Sequence, residues 1–265
     1  MNCVTCVNCG SQNGETRVSR FCDGWAPCWR WKPGPGLNSF IQLLHQIHGW
    51  TRARRTKASV KHHGLVAVDE HAPFKVPPHR LREHAQLDVT QADVLKVDFT
   101  ALAASMQSGQ VRVVGNLPYN ISTPILFHLL EHVGVVKDQH FMLQKEVVQR
   151  MVAPPGGKDY GRLSVMLQWR YQMEMLFIVP PSAFDPPPKV DSAIVRMRPI
   201  ASPLACEQAR LEQVVMQAFS QRRKVIRNSL SSLFTEQQLI AAGIDPQARP
   251  ETISLEHYVA LTHLH

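Results

Sequence analysis

Hydrophobic and polar positions alternate in a readable order only in the last two-thirds of this chain. Val111, Val113 and Val114 form a β-branched run that stops at Gly115-Asn116, the pattern of a buried strand. Pro118 then fixes φ and removes a donor, so the chain must leave the sheet there. Ser122-Thr123-Pro124 reads as an N-cap with proline in the first turn, opening a helix over Ile125–His132. Another strand follows at Gln139–Leu143, then a helix over Lys145–Val152 closed by Ala153-Pro-Pro-Gly-Gly157, then an apolar segment over Leu163–Trp169. Met173, Met175 and Phe177 alternate within Tyr171–Val179 as in a strand, and Asp191–Arg198 returns as another. Between these two, residues 180–190 are too rich in proline for regular structure and form a stiff loop that holds Phe184 in place. Alternating helices and strands predict an α/β sheet with a late antiparallel ribbon.

From Glu207 the pattern is wholly helical. Leu211, Val214, Val215, Ala218 and Phe219 share one face, and further helices are expected over Glu236–Ala242 and Leu255–His263, separated by Gly243-Ile-Asp-Pro246. Between them, Gln221–Arg227 is a basic turn leading into an apolar helix over Asn228–Phe234. Its cations Arg222, Arg223, Lys224 and Arg227 suit contact with nucleic-acid phosphates, although such a run also serves as a solvated face. The chain therefore divides into residues 1–85, an α/β region over 86–200 and a small helical domain over 201–265.

The first part is compositionally different. Five of the six cysteines and four of the five tryptophans fall in the first 50 residues, and residues 1–31 follow neither period. Cys3-x2-Cys6-x2-Cys9, with Cys22 and Cys28, has the short spacing of a zinc cluster and the rhythm of an iron–sulfur loop. The reading adopted is that these cysteines are incidental and hold no metal. Gly34 and Gly36 precede an apolar pattern that starts at Phe40, so the backbone there can approach a ligand at a helix start, though the same residues make an ordinary turn. Thr51–His63 is a basic patch with the same two readings as the later one. Gly64–Asp69 reads as a short strand ending in an acid, a place where a nucleotide ribose is often held. Leu87–Leu95 reads as a strand and its exit, with Asp93 past the end as an acceptor for an exocyclic amine or as a cap.

The balance of 29 basic against 21 acidic residues gives a net charge of +8 and a pI near 9.4, which favours a polyanionic partner. No apolar run reaches the roughly 18 residues of a transmembrane helix. The N-terminus lacks the apolar core of a secretory signal, so a cytoplasmic protein without a membrane partner is expected.

The chemistry concentrates at Asn116-Leu117-Pro118-Tyr119. A strand that ends this way sets an amide, a backbone carbonyl and an aromatic ring at the carboxyl edge of a sheet, where open α/β folds bind ligands. The exocyclic amine of a nucleobase is a poor nucleophile because its lone pair is delocalised into the ring. The Asn116 amide oxygen and the Leu117 carbonyl can accept its two N–H bonds and turn the lone pair outward. Tyr119 can stack on the base, as can Phe184, at about 1–3 kcal/mol per base. Positioning against a sulfonium methyl then does most of the work, without a general base. A plain turn would explain the backbone here but not the aromatic.

Five blocks, in order, closely resemble the small-subunit rRNA adenine N6-dimethyltransferases, a family that includes the erythromycin-resistance methylases. They are Gly115-Asn-Leu-Pro-Tyr-Asn-Ile-Ser-Thr-Pro124, Met142-Leu-Gln-Lys-Glu-Val-Val148, Tyr160-Gly-Arg-Leu-Ser-Val165, Phe184-Asp-Pro-Pro-Pro-Lys-Val-Asp-Ser192 and Ala218-Phe-Ser-Gln-Arg-Arg-Lys224. The resemblance runs from about Gln86 to the end. It implies a Rossmann-like methyltransferase sheet with a small C-terminal all-α domain. It further implies that two adjacent adenosines near the 3′ end of small-subunit rRNA are each dimethylated at N6 from S-adenosyl-L-methionine. Asp93 would contact the cofactor adenine, Asn116 and Tyr119 would hold the target base, and Phe184 would stack on it. The implied partner is small-subunit rRNA within an immature small ribosomal subunit, met by a monomer.

The N-terminal third departs from that family's pattern. Its basic arm is absent, and its glycine-rich cofactor loop survives as Gly34-Pro-Gly-Leu37, with Lys32 where an acid is expected and Asn38 at the third glycine. Asp69 takes the place of the ribose-binding acid only if an insertion precedes it. Residues 1–85 thus read as a degraded or out-of-frame cofactor half. That leaves a rival reading, a non-catalytic RNA-binding or ribosome-assembly protein without a cofactor loop, and a weaker one, an adenine methylase acting on DNA.

Overall fold

The computed structural model describes residues 92–264, apart from 107, 118, 185 and 186, together with three short strands nearer the N-terminus. Those strands are β1 (Cys3–Thr5), β2 (Leu65–Asp69) and β3 (Val89–Thr90). The other N-terminal cysteines, the Gly34 and Gly36 turn and the basic patch at 51–63 lie outside the described residues, as does Pro118.

The continuous part begins with α1 (Phe99–Ala104) and β4 (Val111–Asn116), followed by α2 (Ser122–Glu131), β5 (Val136–Gln144) and α3 (Lys145–Val152). Next come α4 (Arg162–Arg170), β6 (Tyr171–Val179) and β7 (Ser192–Pro199). The chain closes with α5 (Gln208–Ser220), α6 (Ile226–Ser229), α7 (Glu236–Ala241) and α8 (Leu255–Thr262). The strands form one seven-stranded sheet in the order β3-β1-β2-β4-β5-β7-β6. The β2, β4 and β5 strands run parallel, while β7 is antiparallel to both β5 and β6. The α/β sheet with a late antiparallel ribbon is therefore present as expected.

Three local expectations are corrected. The helix after β4 starts at Ser122 rather than Ile125, and its cap, Ile121, makes no side-chain cap bond. Ser122 instead turns its hydroxyl back to donate to the Tyr119 carbonyl at 3.2 Å. Pro124 is tolerated there because the N–H it lacks would be an orphan of the first turn anyway. The strand expected over 139–143 runs from Val136, its polar Asp138, Gln139 and His140 all buried. The polar pair Lys137-Asp138 hid its start from a hydrophobic reading. Finally, the helix expected over 228–234 is the short α6, followed by turns.

Two of the three buried polar side chains in β5 find hydrogen-bond partners. Gln139 donates to the Tyr171 hydroxyl at 2.8 Å, which in turn donates to the Leu129 carbonyl at 3.1 Å, tying β5, β6 and α2 together. Asp138 faces the other side of the sheet and accepts from Arg112 of β4, from Nη2 at 2.7 Å and Nε at 3.1 Å. His140 lies beside it, with Nδ1 3.6 Å from the Asp138 carboxylate, and neither ring nitrogen has a hydrogen-bond partner among the described residues.

The α5–α8 helices close over the same core as the sheet. Leu211, Val214, Val215 and Ala218 of α5 and Tyr258, Val259 and Leu261 of α8 belong to one cluster of buried side chains with Leu129, Leu143 and Leu167. The expected inner face of α5 is thus the observed one, with Phe219 partly buried beside it. The turn after α7 depends on one glycine. Gly243 sits at φ +77° and Ile244 donates back to Leu239 at 3.0 Å, a left-handed helix end that a side chain at that position would strain.

Candidate active site at the carboxyl edge of the sheet

Strand directions place the singled-out residues together. The β1 strand is antiparallel to both β2 and β3, so β3 runs with β2, β4 and β5. Asp69 is the last residue of β2 and the ladder partner of Asn116, the last residue of β4. Asp93 lies three residues beyond the end of β3, at the same edge. After β2 the chain passes to β3 on one side, and after β3 it crosses to β4 on the other. Such a change of direction opens a crevice at the strand ends, the place where open α/β sheets take their ligands.

Around Asn116 the backbone is pinned and the polar groups are left available. Leu117 N–H donates to the Met142 carbonyl at 3.1 Å, extending the ladder one residue past β4, and its side chain is fully buried. The Leu117 carbonyl accepts no hydrogen bond among the described residues, nor does the half-buried Asn116 side chain make one. Two acceptors thus stand next to each other at the strand end. Tyr119 follows with 37% of its surface exposed, although its residue type favours burial, and its hydroxyl lies 3.3 Å from Ser192 Oγ.

The second aromatic is placed differently. Phe184 is buried against Met142, Val179 and Ile194 in a small apolar cluster at the same edge, below the turn Pro181–Ala183. Its ring is near the strand ends, as expected, but packed. A cleft of about 420 Å³ opens at this edge, lined by Gln144, Lys145, Gln149, Pro181, Lys189 and Asp191 but not by Phe184. Lys145 Nζ donates to Asp191 Oδ2 at 3.0 Å, and its backbone N–H to the Asp191 carbonyl at 3.0 Å. Lys145, Asp191 and Ser192 lie within the family-like blocks, but their residue types alone point to no role. A lysine that follows one strand end directly, opposite an Asp-Ser that opens the neighbouring strand, was the available signal.

Asp93 accepts from Leu95 N–H at 3.1 Å and caps the 3-10 turn Val94–Lys96, so the cap reading of this residue is observed. Among the basic residues, Arg222 is half-buried, donating to the Lys158 carbonyl and lying 3.9 Å from Glu251. Arg227 lies 3.8 Å from Glu236. Arg223 and Lys224 are exposed and have no carboxylate partner among the described residues.

A family model described as ribosomal RNA adenine dimethylase matches residues 55–264. The chain belongs to the ribosomal RNA adenine dimethylase family. Within it, the chain is 66% identical over 232 residues to the ribosomal RNA small subunit methyltransferase A of Herminiimonas arsenicoxydans, covering 86% of this chain and 84% of that protein. It is 61% identical over 182 residues to the protein of the same name from Paracidovorax citrulli, covering 69% of this chain and 72% of that one. Two solved structures share the fold. The 23S rRNA methyltransferase ErmE matches at a TM-score of 0.55 and 25% identity, over 74% of this chain and 80% of its own. A dimethyladenosine transferase from Plasmodium falciparum matches at 0.54 and 24% identity, over 69% and 74%. These likenesses accord with a Rossmann-like methyltransferase sheet. The dimethylase match begins at residue 55, upstream of the point near 86 where the motif blocks become legible, and it includes β2 with Asp69.

Proposed function

We propose that this dimethylase acts on two adjacent adenosines near the 3′ end of small-subunit rRNA, within an immature small ribosomal subunit, as a cytoplasmic monomer. The observation that carries the reading is the pair of acceptors, Asn116 and the Leu117 carbonyl, left without partners among the described residues beside an exposed Tyr119. An adenine N6 amine offers two N–H bonds, and two acceptors at one strand end can take both. The nitrogen lone pair then leaves conjugation with the ring and faces the methyl donor.

S-adenosyl-L-methionine is the cofactor, and it supplies an electrophilic methyl on a sulfonium. The donor set at the edge suits its adenosine half, since a carboxylate at the end of β2 can accept from ribose hydroxyls and one past β3 from the adenine amine. In this reading Asp69 takes the ribose and Asp93 the adenine while keeping its cap bond. Gly34 and Gly36, outside the described residues, are assigned to the cofactor loop on the resemblance alone. Asn116 closes that site from the side of the target base. The amine held by Asn116 and the Leu117 carbonyl would become a more acidic ammonium on accepting the methyl, and its proton would pass to water. Repetition of the step gives the dimethylated base. Tyr119 stacks on the flipped adenine and offsets part of its unstacking. Phe184 joins it when its ring turns out of the Met142–Ile194 cluster.

Arg223 and Lys224 contact RNA phosphates in this reading, with Arg227 beside them, while Arg222 fixes the turn that carries them. Replacing Arg223 and Lys224 together with glutamine is expected to weaken RNA binding uniformly across sequences and to lower the salt slope by about 2. Titrations from 50 to 200 mM salt, as in the usual range for such slopes, measure it. No described helix is long and apolar enough to cross a membrane. The substrate assignment is tested by methylating purified small and large subunits that lack the modification. Label in two adjacent small-subunit adenosines is the expected result, and label in large-subunit rRNA alone would overturn it.

A further inference from the structure

Tyr119 is an exposed ring on a turn, and a ring that is to stack on a base must be kept from swinging away from it. The structure holds it at its far end. Its hydroxyl meets Ser192 Oγ at 3.3 Å, and Ser192 is only 1% exposed, the first residue of β7. That position is central at this edge. Ser192 is the ladder partner of Gln144, the last residue of β5, and of Val179, the last residue of β6, from which the Pro181–Phe184 turn departs. One residue earlier, Asp191 is fastened twice to Lys145 at the start of α3, by side chain and by backbone. The near end of Tyr119 is held as well, through the bond from Ser122 to its carbonyl.

We propose that Ser192 is a positioning residue for methyl transfer, a buried hydroxyl that fixes where the ring of Tyr119 sits, with the Lys145–Asp191 pair fixing Ser192 in turn. The inference rests on the reading of Tyr119 as the ring that holds the target adenine. A hydroxyl bond at the far tip of the ring leaves both ring faces unobstructed by the anchor while stopping the ring from swinging about the Cα–Cβ bond. It acts on the orientation of an already bound base, so the rate of the bound complex responds and substrate affinity does not.

The test is a double-mutant cycle on the full chain, with initial rates of methyl transfer to small subunits that lack the modification. Ser192→Ala and Tyr119→Phe remove the same bond from opposite ends. Each is expected to lower kcat by about three- to tenfold, the scale of one hydrogen bond, with KM for both substrates within about twofold. The double variant should be no slower than either single one, and Ser192→Thr, which keeps the hydroxyl, should retain the rate. Unchanged kcat in Ser192→Ala, or additive losses in the double variant, would overturn the proposal. Tyr119→Ala separates the two levels. If it is inactive while Ser192→Ala is not impaired, only the positioning role fails. If Tyr119→Ala is fully active, the base-holding role of Tyr119 fails, and this inference with it.

Discussion

Asn116→Ala is expected to lower kcat on the order of 10²- to 10³-fold, the loss typical of removing one preorganised hydrogen-bonding group from a reacting centre. The adenine amine would keep the Leu117 carbonyl as one acceptor, but its second N–H would return to the ring plane and the lone pair to conjugation. The fall should appear in kcat more than in KM, because the interaction strengthens only as the nitrogen becomes tetrahedral. Folding should be unaffected, since the Asn116 side chain is half-buried and holds no other described residue. Initial rates with labelled S-adenosyl-L-methionine and saturating RNA, beside a thermal melt, make the measurement. A rate within threefold of the parent would remove Asn116 from the amine-holding role.

Acidification between pH 6.5 and 4 is expected to cost roughly 3 kcal/mol of folding stability through His140 alone. Burial holds this imidazole down from its ordinary 6.5 to about 4, and the nearby Arg112, Arg196 and Arg198 push the same way, against the opposing pull of Asp138. The unfolded chain therefore takes up a proton near 6.5 that the folded chain refuses until about 4, so stability is full above 6.5 and falls as the pH drops through that window. His132, also lowered by burial, adds to the slope in the same direction. Asp98 and Glu256 are lowered too, and their contributions are lost at more acid pH. Urea unfolding at several pH values on the parent and on His140→Leu isolates the effect. The variant should lose most of the slope between pH 6.5 and 4, and an unchanged slope would place the acid sensitivity elsewhere.

Most of the sheet and its helices could be read from periodicity where one face is apolar and the other polar. The β6 strand over Tyr171–Val179 and the α3 helix over Lys145–Val152 match their expected bounds, because alternation and a proline stop mark both. Legibility failed where long-range partners decide. Asp138 reads as too polar for a buried strand because Arg112, 26 residues away, cannot be seen in the sequence as its partner. Arg222 read as one more surface cation, yet its partners are the Lys158 carbonyl and Glu251. At the site, Asn116 and Tyr119 were legible because a strand that stops at an amide and an aromatic leaves few structural explanations. Phe184 was placed at the correct edge, but its packing on Ile194 needed the register of β5, β6 and β7. Ser192 was invisible as a partner of Tyr119, since the bond joins residues 73 positions apart.

The central claim is that the carboxyl edge of this chain holds an adenine amine against a methyl donor and delivers two methyl groups to it. Nucleoside mass spectrometry tests it most directly, after purified chain and methyl-labelled S-adenosyl-L-methionine are incubated with small subunits that lack the modification. Labelled N6,N6-dimethyladenosine in the small-subunit rRNA is the predicted result. RNA binding with no labelled adenosine, at cofactor concentrations up to the millimolar range, would contradict it.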